Sequence, residues 1–542
     1  MNNEQKKSFL ILTLGCKLNQ LESEAITDAF IKADCSQFPA LNFRLPAPGS
    51  QLPPSVVVIN TCTVTSKADQ KARRVIRKAL RDYPDAGVIV TGCYAQLNED
   101  DILALETDGK KRLHVVNKKD ILNLPDYFNK LEMRNEEFPS FYSPLPTPHS
   151  QFQFNPNHFS AHTRSFLKIQ DGCDRNCTYC RIRLARGPSV SLPAEEVLSR
   201  LLILEQNHAE AVLTGVNISQ YMDRRFHAET QRHGGKEEKK FTTNQDELGL
   251  SEKNRNHGGH GVTRSFWFKN HLSSVKLRVL CGLNITYWTS PTRTEENKVF
   301  GLAELLDYLL SGTSKLAIRL SSLAPESVDE KLCAVLSHPR IRPHFHLSIQ
   351  SCSEKILEKM GRNYNAQIIE KAVALLRAAK DDPFLACDII SGFPGETEAE
   401  FEQTFSLCQK LDFAWIHVFP YSKRPGTPAF SFADNVHESD VTKRVQRLTE
   451  LAEQGKARYV ERWIGREVEV LVEKEKNFTT NGICGSFTNK HKHNIFCYGT
   501  SENYLKVLVR CNGDEAPAPG DTLMCRLTEK GDGKDADVAG IL

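Results

Sequence analysis

Three cysteines, Cys173, Cys177 and Cys180, fall within eight residues of the stretch IQDGCDRNCTYCRI at residues 169–182. Three thiolates in one loop do not complete a tetrahedral zinc site, and no fourth Cys or His stands at the spacing such sites use. A cubane iron–sulfur cluster suits them better. Each of its four irons wants a terminal ligand, so three cysteines leave one iron open to a substrate or cofactor. Three more cysteines, Cys16, Cys62 and Cys93, each close an apolar run: FLILTLGC, SVVVINTC and AGVIVTGC.

Those runs read as strands, and the helical pattern SKADQKARRVIRKALRDYP lies between the second and third. Strand, helix, strand at this spacing predicts a parallel βαβ unit, whose ligands emerge at the carboxyl ends of the strands. Cys16, Cys62 and Cys93 should therefore share one edge of a sheet. Residues 126–162 are rich in Pro, Ser and Phe without periodicity and read as a connection. Six strand-like runs follow among helical patterns: SFLKIQDG, AEAVLTGVN, KLAIRLSSL, HFHLSIQS, FLACDIISGFPGE and FAWIHVFPYS. They predict a partial (β/α)6 barrel. Residues 222–298, charged and His- and Gly-rich in their first half, interrupt it just after TGVN and read as a disordered insertion in a βα loop. Residues 438–463 read as a helical connector. The tail then alternates at period two between turns, as in a small antiparallel β-barrel. The expected fold class is α/β, with an N-terminal βαβ sheet domain (7–125), a central partial barrel (163–437) and a C-terminal small antiparallel β-barrel (464–542).

The chain has 542 residues, and 70 Lys plus Arg against 67 Asp plus Glu give +3, which neither demands nor excludes nucleic acid. No run reaches the ~18 apolar residues of a membrane helix. The opening MNNEQKKSFLILTLGC reads as a first strand rather than an export signal, so a cytoplasmic location without membrane is expected. In that setting the sixteen cysteines comprise metal ligands and core thiols, not a disulfide framework.

The Cys-x3-Cys-x2-Cys spacing, with Gly172 and Tyr179, resembles the signature of radical S-adenosylmethionine (SAM) enzymes. With TLGCKLNQLESE, VVINTCTVT and VTGCYAQ, nearly the whole chain resembles the methylthiotransferase family, which ends in an RNA-binding TRAM barrel. GCKLNQLES, FLKIQDGCD and HVFPYSKRPGTPA resemble its threonylcarbamoyladenosine branch, with Lys17, Leu18 and Asn19 as discriminating residues. The resemblance implies two 4Fe-4S clusters and S-adenosyl-L-methionine as cofactors. One cluster, on Cys173, Cys177 and Cys180, would bind and cleave the cofactor to a 5′-deoxyadenosyl radical. The auxiliary cluster, on Cys16, Cys62 and Cys93, would carry the sulfur inserted at an adenosine C–H bond, and a second SAM would supply the methyl group. Thr214, Gly215 and Asn217, closing the second barrel strand, and Ser348 and Gln350, on a later one, are expected cofactor contacts. The implied partners are the tRNA anticodon region, an external electron donor and a sulfur source, and the protein is expected to be a monomer.

Rival readings are the same chemistry on isopentenyladenosine tRNA or a ribosomal protein, and a non-catalytic iron–sulfur RNA-binding protein. Departures from the family motivate the last. RIRLARG puts Arg181 and Arg183 in a stretch usually apolar with Pro, and QSCS puts Cys352 where Gly is usual. Two regions offer RNA contacts. One is the helix carrying Lys67, Lys71, Arg73, Arg74, Arg77, Lys78 and Arg81; the other is the tail, with NKHKHN (489–494) for phosphates and Phe496, Tyr498 and Tyr504 as exposed stacking residues, but only 10 Lys plus Arg against 12 Asp plus Glu over 465–542.

Overall fold

A computed structural model of the chain describes residues 7–38, 53–125, 152, 163–223, 300–473, 495–511, 517–531, 533 and 536–542. The expected connection at 126–162 lies outside them apart from Phe152, and so do residues 489–494, Cys281 and Cys484.

The first part is a parallel sheet of five strands in the order β2-β1-β3-β4-β5. Its strands are β1 (Ser8–Thr13), β2 (Ser36–Gln37), β3 (Val56–Thr61), β4 (Gly87–Gly92) and β5 (Leu113–Val115). Between them run helices α1 (Lys17–Lys32), α2 (Ser66–Asp82), α3 (Cys93–Leu97) and α4 (Glu99–Leu103). VVVINT of β3 is buried at every position, as the centre of a sheet covered on both faces must be. The chain leaves β1 to one side for β2 and returns on the other for β3. That reversal opens a crevice at the carboxyl edge, where sheets of this kind bind ligands.

Six parallel strands form the central part. They are β6 (Ser165–Lys168), β9 (Glu210–Thr214), β10 (Ala317–Leu320), β11 (His344–Gln350), β12 (Phe384–Ser391) and β13 (Trp415–Pro420), with a short antiparallel pair, β7 (Gln170–Asp171) and β8 (Val190–Ser191), after β6. Bridges Ile318 to Ile341 and Leu323 to Leu347 join the β6-β9-β10 sheet to the β11-β12-β13 sheet, making one open arc. Outside it lie α6 (Ala194–Glu205), α7 (Leu302–Gly312), α8 (Glu330–Leu336), α10 (Ala366–Ala379) and α11 (Glu398–Lys410), while α5 (Ile182–Arg186) packs on α3 and α9 (Glu354–Lys359) ends on the loop around Thr178. Asp223 and Phe300 pair as an antiparallel bridge. Beyond its first two residues the expected insertion lies outside the described residues.

Strand periodicity sorts the side chains. Phe345, Leu347 and Ile349 of β11, with Leu385, Cys387 and Ile389 of β12, enter the core shared with the helices. The alternate residues His344, His346, Ser348 and Gln350, with Asp388, line the inner face. That face is polar, unlike a filled barrel interior.

α12 (Glu438–Trp463) matches the expected connector and leads into a closed barrel of β14 (Glu467–Val472), β15 (Ile495–Ser501), β16 (Lys506–Cys511), β17 (Thr522–Lys530) and β18 (Val538–Ile541). The barrel is not antiparallel throughout, because β16 pairs with β18 in parallel. Five strands in a closed ring cannot all alternate in direction, so one like-directed pair is required.

This barrel covers the amino-terminal ends of the central strands. Fully buried Glu210 receives hydrogen bonds from Arg319 at 2.7 and 3.0 Å and from Arg342 at 2.9 Å. Arg342 also pairs with Glu469, Arg319 donates to the Ser501 carbonyl at 3.3 Å, and Arg164 pairs with Glu473 at 2.9 Å. Tyr504 stacks on His344 at 4.0 Å beneath the guanidiniums of Arg319 and Arg164. It is therefore part of the floor of the arc and not a surface stacking residue, and Tyr498 is buried as well.

Burial alone would raise the Glu210 carboxyl, but Arg319 and Arg342 hold it down at about 2. A depressed carboxyl contributes stability above its unfolded value of about 4.3 and loses it as pH falls toward the folded value. Glu210→Gln should lower the stability of the metal-free protein by about 3–5 kcal/mol at neutral pH, because two buried guanidiniums lose their shared anion. The gap to wild type, read from urea midpoints, should hold above pH ~4.5 and shrink toward pH ~2; a gap independent of pH would contradict it.

Candidate functional site

The first cysteine set takes its place from strand register. Thr61 of β3 pairs with Gly92 of β4, so the next residues, Cys62 and Cys93, leave the sheet side by side. Gly92 has φ +96°, and a Cβ there would lie 2.3 Å from the Thr61 carbonyl oxygen. Only glycine fits so close an approach. Gly15, at φ +118°, lies equally tight, since its Cβ would come 2.6 Å from that of Cys62, and this brings the Cys16 turn against Cys62. Two buried amides lock the turn. Asn19 Nδ2 donates to Asn60 Oδ1 at 3.0 Å and to the Thr61 carbonyl at 2.9 Å, and Asn60 Nδ2 donates to the Asn19 carbonyl at 2.9 Å. Burial, with Cys93 and Cys16 adding to it, pushes the Cys62 thiol up to about 11.

The second set sits in the loop after β7. The Cys173 N–H donates to the Gly187 carbonyl at 3.1 Å, and the Cys180 N–H to that of Cys177 at 3.1 Å. Thr178 fastens the middle of the loop. Its N–H donates to the Met360 carbonyl at 3.0 Å, its hydroxyl to the Lys359 carbonyl at 2.8 Å, and its carbonyl accepts from the Ala429 N–H at 2.8 Å. Burial raises Cys173 and pushes Cys180 up to about 11. The half-buried Arg362 faces all this, donating to the Tyr179 hydroxyl at 2.6 and 3.2 Å.

Asn217 lies close enough to the loop for its side chain to offset part of the rise that burial imposes on the Cys173 thiol. Thr214 is buried at the end of β9, and a Cβ on Gly215 would lie 2.8 Å from Gln170. Ser348 and Gln350 end β11, across the arc. Tyr364 donates to the Ser348 and Ile349 carbonyls at 2.9 and 2.8 Å, beside Arg362, and Gln350 takes a left-handed φ of +70°. Gln170, not anticipated from sequence, ties the pieces together. Its Nε2 donates to the Gly172 carbonyl at 2.8 Å and its Oε1 accepts from the Asn217 N–H at 2.8 Å. A buried Gln beside a conspicuous motif gives no periodic or compositional signal.

Between the two sets lies a buried ionic network that was equally invisible in sequence. Glu22 of α1 accepts from Lys118 at 2.9 Å and meets Arg186 at 3.1 Å; Asp171 pairs with Arg186 at 3.0 Å and Lys168 at 2.8 Å. Burial opposes ionisation of both carboxyls, yet Arg186 chiefly, then the lysines, hold Glu22 low and Asp171 well below the usual carboxylate range. Arg186 also feels Cys93 and Cys16. The three cations thus face two carboxylates and the thiols of the first set.

Among the described residues, no three His, Cys, Asp or Glu side chains converge closely enough to hold a single metal ion. Each cysteine set instead comprises thiols near enough to perturb one another, with an arginine alongside, buried Arg186 for the first and half-buried Arg362 for the second. Such a donor set suits the thiolate ligation and spread of an iron–sulfur cluster. The departures in sequence are absorbed locally. Cys352 turns into the core against Cys408, its N–H held by Thr404 Oγ1 at 3.1 Å. Buried Arg181 reaches Asn98 at 3.5 Å, and Arg183 bonds Asn176 within the cysteine loop. The inner face adds a hydrogen-bonded row: Ser322 Oγ lies 2.6 Å from His346 Nδ1, and His346 Nε2 lies 3.2 Å from Asp388 Oδ1.

Two family descriptions match the sequence: an uncharacterized protein family, UPF0004, over residues 8–110, and the Radical SAM superfamily over residues 280–408. The second match begins after Cys180, so it does not itself cover the cysteine loop. Among curated relatives, a threonylcarbamoyladenosine tRNA methylthiotransferase MtaB from Treponema pallidum is 34% identical, covering 97% of this chain and 99% of its own. Proteins of the same name from Thermotoga maritima and Bacillus subtilis are 31% and 30% identical, covering 86% and 93% of this chain and 87% and 90% of theirs. Likeness of this degree, end to end and through both the sheet and the barrel, places the chain in the MtaB family of radical SAM methylthiotransferases.

Proposed function

We propose that this protein is a tRNA methylthiotransferase that converts N6-threonylcarbamoyladenosine beside the anticodon to its 2-methylthio derivative. The observation that carries this reading is the near full-length likeness to relatives bearing that name, in a chain with one cysteine set at adjacent strand ends and the other in the loop after β7. Its cofactors are an iron–sulfur cluster and SAM. We take Cys173, Cys177 and Cys180 as ligands of the cluster that opens SAM reductively, and Cys16, Cys62 and Cys93 as ligands of a second, sulfur-carrying one. When bound, these groups supply the radical and the sulfur.

The chain's own residues provide the setting. Asn217 and Thr214, with Gly215 giving close backbone approach, lie where the methionine end of the cofactor would sit beside Cys173. Arg362 and Arg186 oppose the negative charge that thiolate ligation brings into buried surroundings. His346, Ser348, Gln350 and Asp388 offer hydrogen bonds to a nucleoside from the inner face, and the C-terminal barrel closes the floor against water. The domains run over 7–125, 163–437 and 464–542. No helix among the described residues is long and apolar enough to cross a membrane. We infer a cytoplasmic monomer fed by an external electron donor and sulfur source.

Mass spectrometry of tRNA nucleosides from a strain lacking the gene should show 2-methylthio-N6-threonylcarbamoyladenosine lost and the unmodified precursor accumulating; an unchanged profile would sink the substrate assignment. Anaerobic reconstitution should load about eight irons per wild-type chain. The triple variant Cys16→Ala, Cys62→Ala, Cys93→Ala should load about four and still cleave SAM reductively. The triple Cys173→Ala, Cys177→Ala, Cys180→Ala should also load about four but cleave none; equal iron in all three proteins would contradict the two-cluster assignment.

A further inference from the structure

α2 carries a run of positive charge that, Arg81 apart, no carboxylate among the described residues balances. Ala72, Ile76, Ala79 and Leu80 turn inward. Lys67, Lys71, Arg74, Arg77 and Arg81 are exposed and Lys78 half-buried. At 100° per residue these six cations fall within an arc of about 120°, and from Lys67 to Arg81 they extend about 21 Å. Among the described residues, none of them meets a carboxylate except Arg81, which pairs with its neighbour Asp82 at 2.9 Å. Like charges three and four residues apart destabilise a helix by about 0.2–0.5 kcal/mol each. The contrast with α12 is direct. There Arg444, Arg447, Arg458 and Arg462 pair with Glu396, Glu402, Asp412 and Asp382 at 2.6–3.0 Å.

The stripe also starts beside the reactive end of the fold. The Ser66 N–H donates to Ser422 Oγ at 2.9 Å, and Arg424 pairs with Asp69 at 2.6 Å. Ser422 and Arg424 follow the carboxyl end of β13, in the loop whose Ala429 holds Thr178 between the cysteines. The C-terminal barrel offers no comparable surface among the described residues: Tyr498 and Tyr504 are turned inward, and its sequence has 12 acidic against 10 basic residues.

We propose that the exposed face of α2 is the main surface, among the described residues, on which the RNA phosphate backbone docks, leading the substrate strand toward the cysteine loop. The proposal rests on the reading that the substrate is a tRNA. A rail of this length suits several successive phosphates, and its affinity should be strongly dependent on salt.

The test is fluorescence anisotropy of labelled unfractionated tRNA with the full-length protein between 50 and 300 mM salt. The quadruple variant Lys67→Gln, Lys71→Gln, Arg74→Gln, Arg77→Gln should bind at least tenfold more weakly at the lowest salt. Its log–log salt slope should be shallower by about 3, one count of ~0.7–0.9 per lost contact. Its melting midpoint should not fall, because the substitutions relieve repulsion. The comparison variant Lys506→Gln, Arg510→Gln, Arg526→Gln in the C-terminal barrel should keep wild-type affinity within about threefold. An unchanged affinity and slope in the α2 variant overturns the proposal, as does a larger loss in the barrel variant or no tRNA binding by wild type. If deleting the gene removes the 2-methylthio mark while the α2 variant binds normally, the substrate reading stands and the surface falls; the reverse pair of results leaves the surface standing and removes the substrate.

Discussion

Everything near the cysteines depends on keeping Arg186 charged inside protein. A guanidinium taken from water without compensation costs several kcal/mol, so it needs Asp171 and Glu22, and those carboxylates in turn need Lys168 and Lys118. Glu22 and Lys118 belong to the N-terminal sheet; Lys168, Asp171 and Arg186 belong to the first strand and loop of the central arc. The network therefore docks one part of the chain on the other, and it does so with directional bonds that fix where the crevice above β1 and β3 faces. A purely apolar contact there would tolerate sliding. Pairs this short and this buried do not.

The same constraint repeats at the other cysteine set. Arg362 packs over the rings of Tyr179 and Tyr364, and its charge reaches all three thiols of the loop. Burial by itself disfavours thiolates, as the raised Cys62 and Cys180 show, so ionised sulfur at either place requires a nearby fixed cation. Each set has one arginine, delivered by a different element: α5 for the first and the turn after α9 for the second. The first set is thus electrostatically complete only once the sheet and the arc have packed together, because its ligands lie on the sheet and Arg186 on the arc; the second takes both its ligands and Arg362 from the arc.

Much of this architecture was legible in sequence because period and strand-end residues are local signals. The runs ending in Cys16, Cys62 and Cys93 do lie adjacent in one parallel sheet, the six later runs are the six strands of the arc, and 438–463 is one helix. What was not legible is long-range. Gln170, Glu22, Lys118 and Arg362 are single polar residues whose roles arise from partners up to 183 positions away, as in Arg362 with Tyr179. Tyr504 misled for the same reason. An aromatic in a β-barrel loop reads as a surface group until the element it docks against is known. The parallel β16-β18 pair follows from an odd number of strands in a closed ring, and a period-two pattern carries neither strand number nor direction.

The inverted polarity of the arc ties these points together. A closed eight-stranded barrel fills its interior with branched apolar residues, and its ligands are confined to the rim. Six strands leave the ring open, and here the inner face carries His344, His346, Ser348, Gln350 and Asp388 while the apolar residues turn outward to the helices. Such a lining would be unstable if it were simply exposed to a low-dielectric core. It is tolerable because the C-terminal barrel seals the floor with paired charges, Glu210 with Arg319 and Arg342, and the inner groups bond one another in the Ser322–His346–Asp388 row. The small barrel therefore has a structural duty inside the fold that uses up Tyr504. That duty leaves α2, at the opposite, reactive end of the strands, to carry a stripe of cations that, Arg81 apart, meets no carboxylate among the described residues.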